Sequence, residues 1–262
     1  MKTILVPRWV DQTNTNAQNL NAKAMLSRFS NPDVQWMVSH YEQADPAVAE
    51  RSNVQVCKLI HNGLWRCHNV LQYQAKADAI FYPGGYWFDD WGLRLRQLTG
   101  RRVPVVATLE GLAGDKEREG EYSEWAKHLV YCQEVSANIL TQLDRLYQQA
   151  DHVIAISPFL AEMGRRRYGD KFSVIPLGID DSVFYSEEVY LTNYRPKVVS
   201  AGNLKAGKRP EMFVELAKRH PEADFTWYGG QGSTELATFQ AHAKAFANLS
   251  FPGNLQPREL AE

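Results

Sequence analysis

Short apolar runs rich in Val and Ile alternate along the chain with stretches whose apolar residues recur every three or four positions. That alternation is the sequence form of parallel strands separated by helices. Strands are predicted at residues 3–6, 34–39, 54–59, 79–82, 103–108, 153–156 and 172–175. Two strand entries share a local grammar, Ala77-Asp78 and Ala150-Asp151, each running from a helix end into an apolar run. The repetition points to successive βα units rather than an all-β fold. Between these entries, Trp125, Leu129, Cys132, Val135, Ile139, Leu143 and Leu146 stand three or four apart, which predicts one long amphipathic helix over residues 119–149 packed on the core.

After residue 185 the pattern becomes polar and loses its period, so residues 186–196 read as a linker. A second α/β series follows: a strand at 197–201, a helix at 210–219, a strand at 225–228, a helix at 234–246, a strand at 249–251 and a helix opening at Pro257. The expected organisation is a first Rossmann-like domain over 1–185 and a second α/β domain over 197–262. A doubly wound domain usually needs about 120 residues or more. The second domain is therefore expected to be incomplete.

Composition narrows the classes of function. The 262 residues are 44% hydrophobic and 23% charged, with a mean hydropathy of −0.41. Such a chain can bury a core, and the figures exclude disordered and collagen-like proteins. Lys+Arg 29 against Asp+Glu 30 leave a net charge of −1, so there is no global field to hold a polyanion and nucleic acid is not expected as a partner. Cys57, Cys67 and Cys132 fit neither a disulfide framework nor zinc-knuckle spacing, and they read as reduced thiols in a cytoplasmic protein. The apolar stretch at 3–6 ends at Pro7 and Arg8, too early for a signal-peptide core, and no segment is long enough to span a bilayer.

The sharpest chemical signal follows the strand at 197–201, which is expected to be buried and central. Gly202, Asn203, Lys205, Gly207, Lys208 and Arg209 lead into a helix with Pro210 in its first turn. Helix N-terminal amides beside a lysine make a phosphate site. Gly202 and Gly207-Lys208 have the opening spacing of a P-loop. Arg209, however, stands where Ser or Thr must ligate magnesium, and no acidic strand end offers a second ligand, so a P-loop NTPase is rejected. Two readings remain for Lys205, Lys208 and Arg209: a solvated loop, or a diphosphate contact. Position at the carboxyl end of a strand favours the second.

Taken together, Ala150 through Ser157, Val174 through Asp180 with Phe184, Ala201-Gly202-Asn203-Leu204 with Lys208, Trp227-Tyr228-Gly229-Gly230-Gln231-Gly232, and Phe251-x-Gly253 with Glu259-Leu260 resemble the ordered signature of retaining GT-B glycosyltransferases of the glycogen-synthase-like, family-four (group 1) type. The likeness is strongest from about Ala150 onward. It implies two Rossmann-like domains facing across a cleft, the acceptor held mostly by the first and a nucleotide sugar mostly by the second. It further implies donor-phosphate contacts from Gly202, Asn203, Lys208 and Arg209, and donor contacts from Gly229 and Gly230. No metal or cofactor is implied, because cations and helix N-termini neutralise the leaving diphosphate. The implied donor is a nucleotide-diphosphate sugar; the implied acceptor is a glycan, a lipid-linked compound or a small molecule.

The chain departs from this family in four places. Asn203 stands where the family has an arginine, so either Lys205 or Arg209 substitutes for it or donor affinity falls. Glu110-Gly111 stands where the family commonly has His-Gly; Glu110 reads either as a partner or base for a sugar hydroxyl, hence as the candidate catalytic residue, or as a loop carboxylate. The family's glycine pair near the N-terminus is replaced by Asp11 through Ala17, whose Asn14 and Asn16 read as helix caps or as acceptor-side amides. The paired glutamates expected to follow Glu259-Leu260 do not occur within the sequence, which makes a truncated enzyme the expectation.

Other features carry two readings each. In Tyr82 through Trp91, Trp87 and Trp91 either stack on an acceptor or enter the core, with Asp89 or Asp90 capping a helix. Arg165, Arg166 and Arg167 form a basic cluster that is either a solvated helix end or a contact with anionic lipid headgroups at a cytosolic membrane face. His152 reads as structural, and no cluster has metal-ligand spacing. The leading expectation is a retaining glycosyltransferase, or part of one. The alternatives are a non-catalytic nucleotide- or sugar-binding module and a GT-B-like nucleotide-sugar epimerase.

Overall fold

The computed structural model describes residues 1–12, 17–40, 42–58, 76–84, 93, 100, 103–178, 195–230, 234–255 and 259. It divides into two units, Met1–Leu177 and Gly178–Glu262. The linker expected at 186–196 lies outside the described residues except for its last two.

In the first unit the Val-rich runs become seven parallel strands. In chain order they are β1 (Lys2–Trp9), β2 (Val34–His40), β3 (Val54–Lys58), β4 (Ala79–Tyr82), β5 (Val105–Leu109), β8 (His152–Ala155) and β9 (Phe172–Val174). The short strands β6 (Ala113–Gly114) and β7 (Gln133–Glu134) pair separately. Helices α1 (Ala17–Arg28), α2 (Pro46–Ala49), α3 (Lys116–Ala126), α4 (Ala137–Gln149) and α5 (Pro158–Tyr168) connect them. The sheet order is β3-β2-β1-β4-β5-β8-β9. The chain thus winds outward from β1 in one direction and from β4 in the other. The carboxyl ends of β1 and β4 flank the switch point, where open α/β sheets bind ligands. Val6, Val38, Val105, Ala107, Val153 and Ala155 are fully buried, as strands covered on both faces require.

The repeated Ala-Asp has a structural cause. The Thr3 amide donates to Asp78 Oδ2 at 2.8 Å while the Asp78 amide donates to the Thr3 carbonyl at 2.8 Å. Val105 and Asp151 repeat the exchange, the Val105 amide donating to Asp151 Oδ2 at 2.7 Å and the Asp151 amide to the Val105 carbonyl at 2.8 Å. Each aspartate clasps the amino end of the neighbouring strand and fixes its register before the ladder begins. Asp151→Ala is expected to lower stability by about 1–2 kcal/mol through the orphaned Val105 amide, with Asp151→Asn losing less. Equal urea midpoints for wild type and Asp151→Ala would contradict this.

The predicted long helix is two helices. α3 ends where Lys127 enters the left-handed region at φ 57°, and α4 begins after Ser136. The three-and-four spacing continues through Leu129 and Cys132, but the amides of Val130 and Cys132 are taken by side chains of α3. The Val130 amide donates to Ser123 Oγ and the Cys132 amide to Glu119 Oε2, each at 3.0 Å. The Gln133 amide then donates to the Leu112 carbonyl, opening β7. Leu129, which one continuous helix would bury, is 76% exposed. The α4 part of the predicted face holds, with Leu143 and Leu146 buried and Ile139 packed against the same core. Cys57 and Cys132 are buried, and Cys67 lies outside the described residues. Burial pushes the Cys132 thiol up to about 11.

In the second unit, β10 (Lys197–Ala201), β11 (Asp224–Tyr228) and β12 (Leu249–Gly253) form a parallel sheet in that order. Helices α6 (Pro210–Arg219) and α7 (Thr234–Ala243) make the crossovers. The Phe213 ring meets Phe225 and Trp227 edge-on, and Phe239 stacks on Phe251. The Asn248 amide group donates to the carbonyls of Ala217, His220 and Ala223, tying β12 to the end of α6. The expectation of a buried, central strand at 197–201 is not met among the described residues. Among the described residues β10 is an edge strand of its three-stranded sheet, and Val198 and Val199 are 37% and 57% exposed. Its apolar composition suits a strand at either place, because β propensity does not distinguish edge from centre.

Candidate functional site

The second unit gathers glycines at successive strand ends. Gly202 follows β10, Gly229 and Gly230 follow β11, and Gly253 ends β12; all four have positive φ, at 149°, 122°, 80° and 98°. Only glycine adopts these conformations without strain. Gly229 lies against the backbone of Gly202, so a Cβ there would stand 2.2 Å from the Gly202 carbonyl oxygen. The Trp227 indole N–H donates to that same oxygen at 2.9 Å, the Gly202 amide donates to the Tyr228 carbonyl, and the Gly229 amide donates to the Gly253 carbonyl. The result is a glycine floor at the carboxyl edge of the sheet, packed backbone to backbone at Gly202 and Gly229 and covered by the Leu204 side chain at Gly230.

Lys208 lies over this floor, its Cε 3.9 Å from where a Gly202 Cβ would be. It belongs to a short 3₁₀ turn, Ala206–Lys208, that leads into α6. Arg209 takes the left-handed conformation at φ 55° to admit Pro210 to the first turn of α6. Its guanidinium sits 3.9 Å from Glu211, both side chains being more than half exposed. Asn203 and Lys205 are exposed, and the Lys205 amide donates to the Asn203 carbonyl. Of the donor-side candidates, Gly202, Gly229, Gly230 and Lys208 are thus brought together. Arg209 faces its own carboxylate, and Asn203 lies in the connecting turn. Sequence reasoning did not count Gly253 or the Trp227 indole as parts of this floor. The Phe251-x-Gly253 spacing was the available signal for the first.

On the first unit the candidate catalytic residue Glu110 lies at the carboxyl edge of the sheet. Thr108 and Glu110 sit at the carboxyl end of β5, and Gly84 follows β4 with φ 71°. The Gly84 amide donates to the Thr108 hydroxyl, which donates to Glu110 Oε1 at 3.4 Å. Thr108 thereby links the glycine turn to the candidate catalytic carboxylate, a role no sequence pattern announced. At the end of β1, Asp11 is buried and accepts from the Glu42 amide at 2.8 Å. Lys23 pairs with Asp45 at 3.0 Å nearby. Asn14, Asn16, Trp87, Trp91, Asp89 and Asp90 lie outside the described residues, as do Phe184 and Leu260.

The basic cluster is internally matched. Arg166 pairs with Glu162 at 2.8 Å, Arg167 with Glu121 at 2.6 Å, and Arg165 stands 3.5 Å from Asp170. A lipid headgroup would have to compete with these carboxylates. His152 bonds Ser173 Oγ at 2.8 Å across adjacent strands, in keeping with a structural part. No helix among the described residues is long and apolar enough to cross a membrane. Among the same residues no group of His, Cys, Asp and Glu is arranged to hold a metal ion.

Helix-flanked parallel sheets with glycine-bearing carboxyl edges define an α/β protein of the GT-B type, and solved structures agree. The chain is similar to the trehalose-6-phosphate synthase OtsA, at 9% identity and TM-score 0.57, covering 100% of this chain and 76% of that one. It is similar to a UDP-N-acetylglucosamine 2-epimerase from Rickettsia bellii, at 8% identity and TM-score 0.55, covering 100% and 71%. It is also similar to an Os79 variant from O. sativa in complex with UDP, at 12% identity and TM-score 0.55, covering 100% and 75%. Identities this low speak to fold alone. Residues 30–183 match Glycosyltransferase Family 4, and the chain belongs to that family. No curated protein matches it. Two further solved structures are longer, and the chain spans 66% of one and 46% of the other.

Proposed function

We propose that the protein takes part in transfer of a sugar from a nucleotide-diphosphate donor to a hydroxyl acceptor, with retention of configuration. The observation that carries the reading is the glycine floor at Gly202, supported by Gly229 beneath, with Lys208 beside it at the amino end of α6. Backbone so close to the surface lets a diphosphate approach, and the lysine with the helix amides meets the charge that develops as it leaves. Arg209, released from Glu211, is the second cation in place of the family's arginine. In this reading the second unit takes the donor, and the first unit takes the acceptor near Glu110, which accepts or orients the reacting hydroxyl. The chemistry needs no resident metal or cofactor, and the nucleotide sugar is a cytoplasmic substrate.

Calorimetric titration with UDP, GDP and ADP tests the donor site. One of them is expected to bind, and Lys208→Ala to weaken it by about 1.5 kcal/mol, roughly tenfold. No binding of any nucleotide, or an affinity that Lys208→Ala leaves unchanged, overturns the proposal. A second reading, a non-catalytic nucleotide-binding module, draws on the uncharged Asn203 and the Arg209–Glu211 contact. It predicts nucleotide binding without turnover of any UDP-sugar. The epimerase reading predicts interconversion of a free UDP-sugar with no acceptor present.

A further inference from the structure

One side of the second unit leaves backbone groups and apolar side chains together at the surface. Residues of even number from 196 to 202 aim their backbone at β11: the Asp224 amide donates to the Pro196 carbonyl at 2.7 Å and the Gly202 amide to the Tyr228 carbonyl at 2.9 Å. Successive residues of a strand send their N–H and C=O groups to opposite sides, so Lys197, Val199 and Ala201 aim theirs away from β11. Among the described residues no strand pairs on that side. The β10–β11 register runs without a bulge from Lys197 to Ala201. The devices that blunt an edge are reduced to Pro196 before the strand and one charge at Lys197.

The flank of α6 beside this edge is apolar. Val198 and Ser200 stand in register with Phe225 and Trp227, whose rings meet Phe213, so they share the face that α6 covers. On α6, Phe213 and Ala217 are buried and Val214 packs on the same core. A right-handed crossover sets α6 on the β10 side of α7, and helical winding then puts Met212 and Leu216 on the flank away from α7. Met212 is 55% and Leu216 45% exposed, one turn apart. With Val198 they form an apolar strip along the open row of backbone groups. Glu215 and Arg219, toward solvent, pair with each other at 2.9 Å.

We propose that this side is a self-association surface, on which β10 of one copy of the chain pairs antiparallel with β10 of a second copy about a two-fold axis at Val199. The pairing joins two three-stranded sheets into one of six. It is self-complementary, as a two-fold interface must be. Val199 exchanges both bonds with Val199 of the second copy, and Lys197 does so with Ala201, so every outward amide is bonded and no lysine opposes a lysine. The same axis puts the two copies of α6 on one face, antiparallel and within about 10–14 Å of each other, near the separation at which helices touch through long side chains. Met212 of each then faces Leu216 of the other. A lone added strand would satisfy the edge but leave this strip in water, which favours a second copy as the occupant. The contact is small, on the order of 1,000 Å² in total, so a reversible dimer is expected. Antiparallel pairing sends the two Gly202 ends in opposite directions, and the inference stands apart from the glycosyl-transfer reading.

Sedimentation velocity on the full chain, from about 2 to 200 μM, reads the association. The mass is expected to rise from the monomer's 29.8 kDa toward twice that value, with a dissociation constant of about 10–100 μM. Amide exchange followed by NMR over the same range reads the edge itself. Val199 and Ala201 are expected to slow as concentration rises, while Val198 and Ser200, bonded to β11 throughout, do not change. Met212→Glu combined with Leu216→Glu, both exposed in the monomer, is expected to weaken the dimer at least about tenfold without lowering the melting temperature of dilute protein. Mixing that chain with one carrying Met212→Lys and Leu216→Lys is expected to restore dimers. A monomer mass at every concentration, a dimer that the double glutamate variant leaves intact, no rescue on mixing, or a dimer whose Val199 and Ala201 amides exchange as fast as in the monomer overturns the proposal.

Discussion

Gly229→Ala is expected to destabilise the second unit by about 2–6 kcal/mol and to abolish nucleotide binding. Two costs add. The residue sits at φ 122°, which an L side chain resists at roughly 1–3 kcal/mol, and the new Cβ lands 2.2 Å from the Gly202 carbonyl oxygen, an overlap that only backbone movement relieves at a further 1–3 kcal/mol or so. The neighbouring Gly202→Ala is the control. A Cβ there meets nothing closer than Lys208 Cε at 3.9 Å, so it bears the backbone cost alone. Hydrogen exchange across residues 195–230 separates this unit from the first. Protection in Gly229→Ala equal to that in Gly202→Ala would refute the close-approach argument.

Asp144→Ala carries the second large effect, about 2–4 kcal/mol off the first unit. Asp144 holds Arg118 through two bonds and Tyr168 through a third, with Arg167 nearby, and its removal leaves these groups facing one another. Breaking one partner of a fully buried pair costs about 3–5 kcal/mol; the lower figure here follows from side chains that are 14–24% exposed and so partly solvated. Asp144→Asn retains one acceptor and is expected to lose less. Chemical denaturation followed by circular dichroism reads the effect, and a loss below about 0.5 kcal/mol would show the network to be an ordinary surface ion pair.

Much of the fold was legible because the patterns that define a βα unit are local. The Val-rich runs at β1, β2, β5 and β8 fell where predicted because a strand buried on both faces must be apolar throughout. Ala77-Asp78 and Ala150-Asp151 were legible as a repeat, although the clasp they make joins residues 75 and 46 positions apart and has no local signature. The helix over 119–149 was misjudged for the same reason. Periodicity reports which side chains are apolar, while the amides of Val130 and Cys132 were claimed by Ser123 and Glu119. The donor-side candidates were partly legible, since glycines after strands and a lysine before a helix are local features. Thr108, Trp227 and the Arg118–Asp144–Tyr168 network were not, because each matters only through a partner brought up by the fold.

What the sequence by itself determined, then, is the class: alternating strands and helices, glycines at strand ends, and the ordered motifs of a glycosyltransferase family. What only the tertiary structure decided is which of these residues meet. It set Gly229 against Gly202 beneath Lys208, turned Arg209 to Glu211, tied Glu110 through Thr108 to Gly84, and exposed β10 at a sheet edge. The physical reason is that backbone conformation and burial are encoded within a few residues. Hydrogen-bond partners and charge neighbours are chosen by packing among segments far apart in the chain.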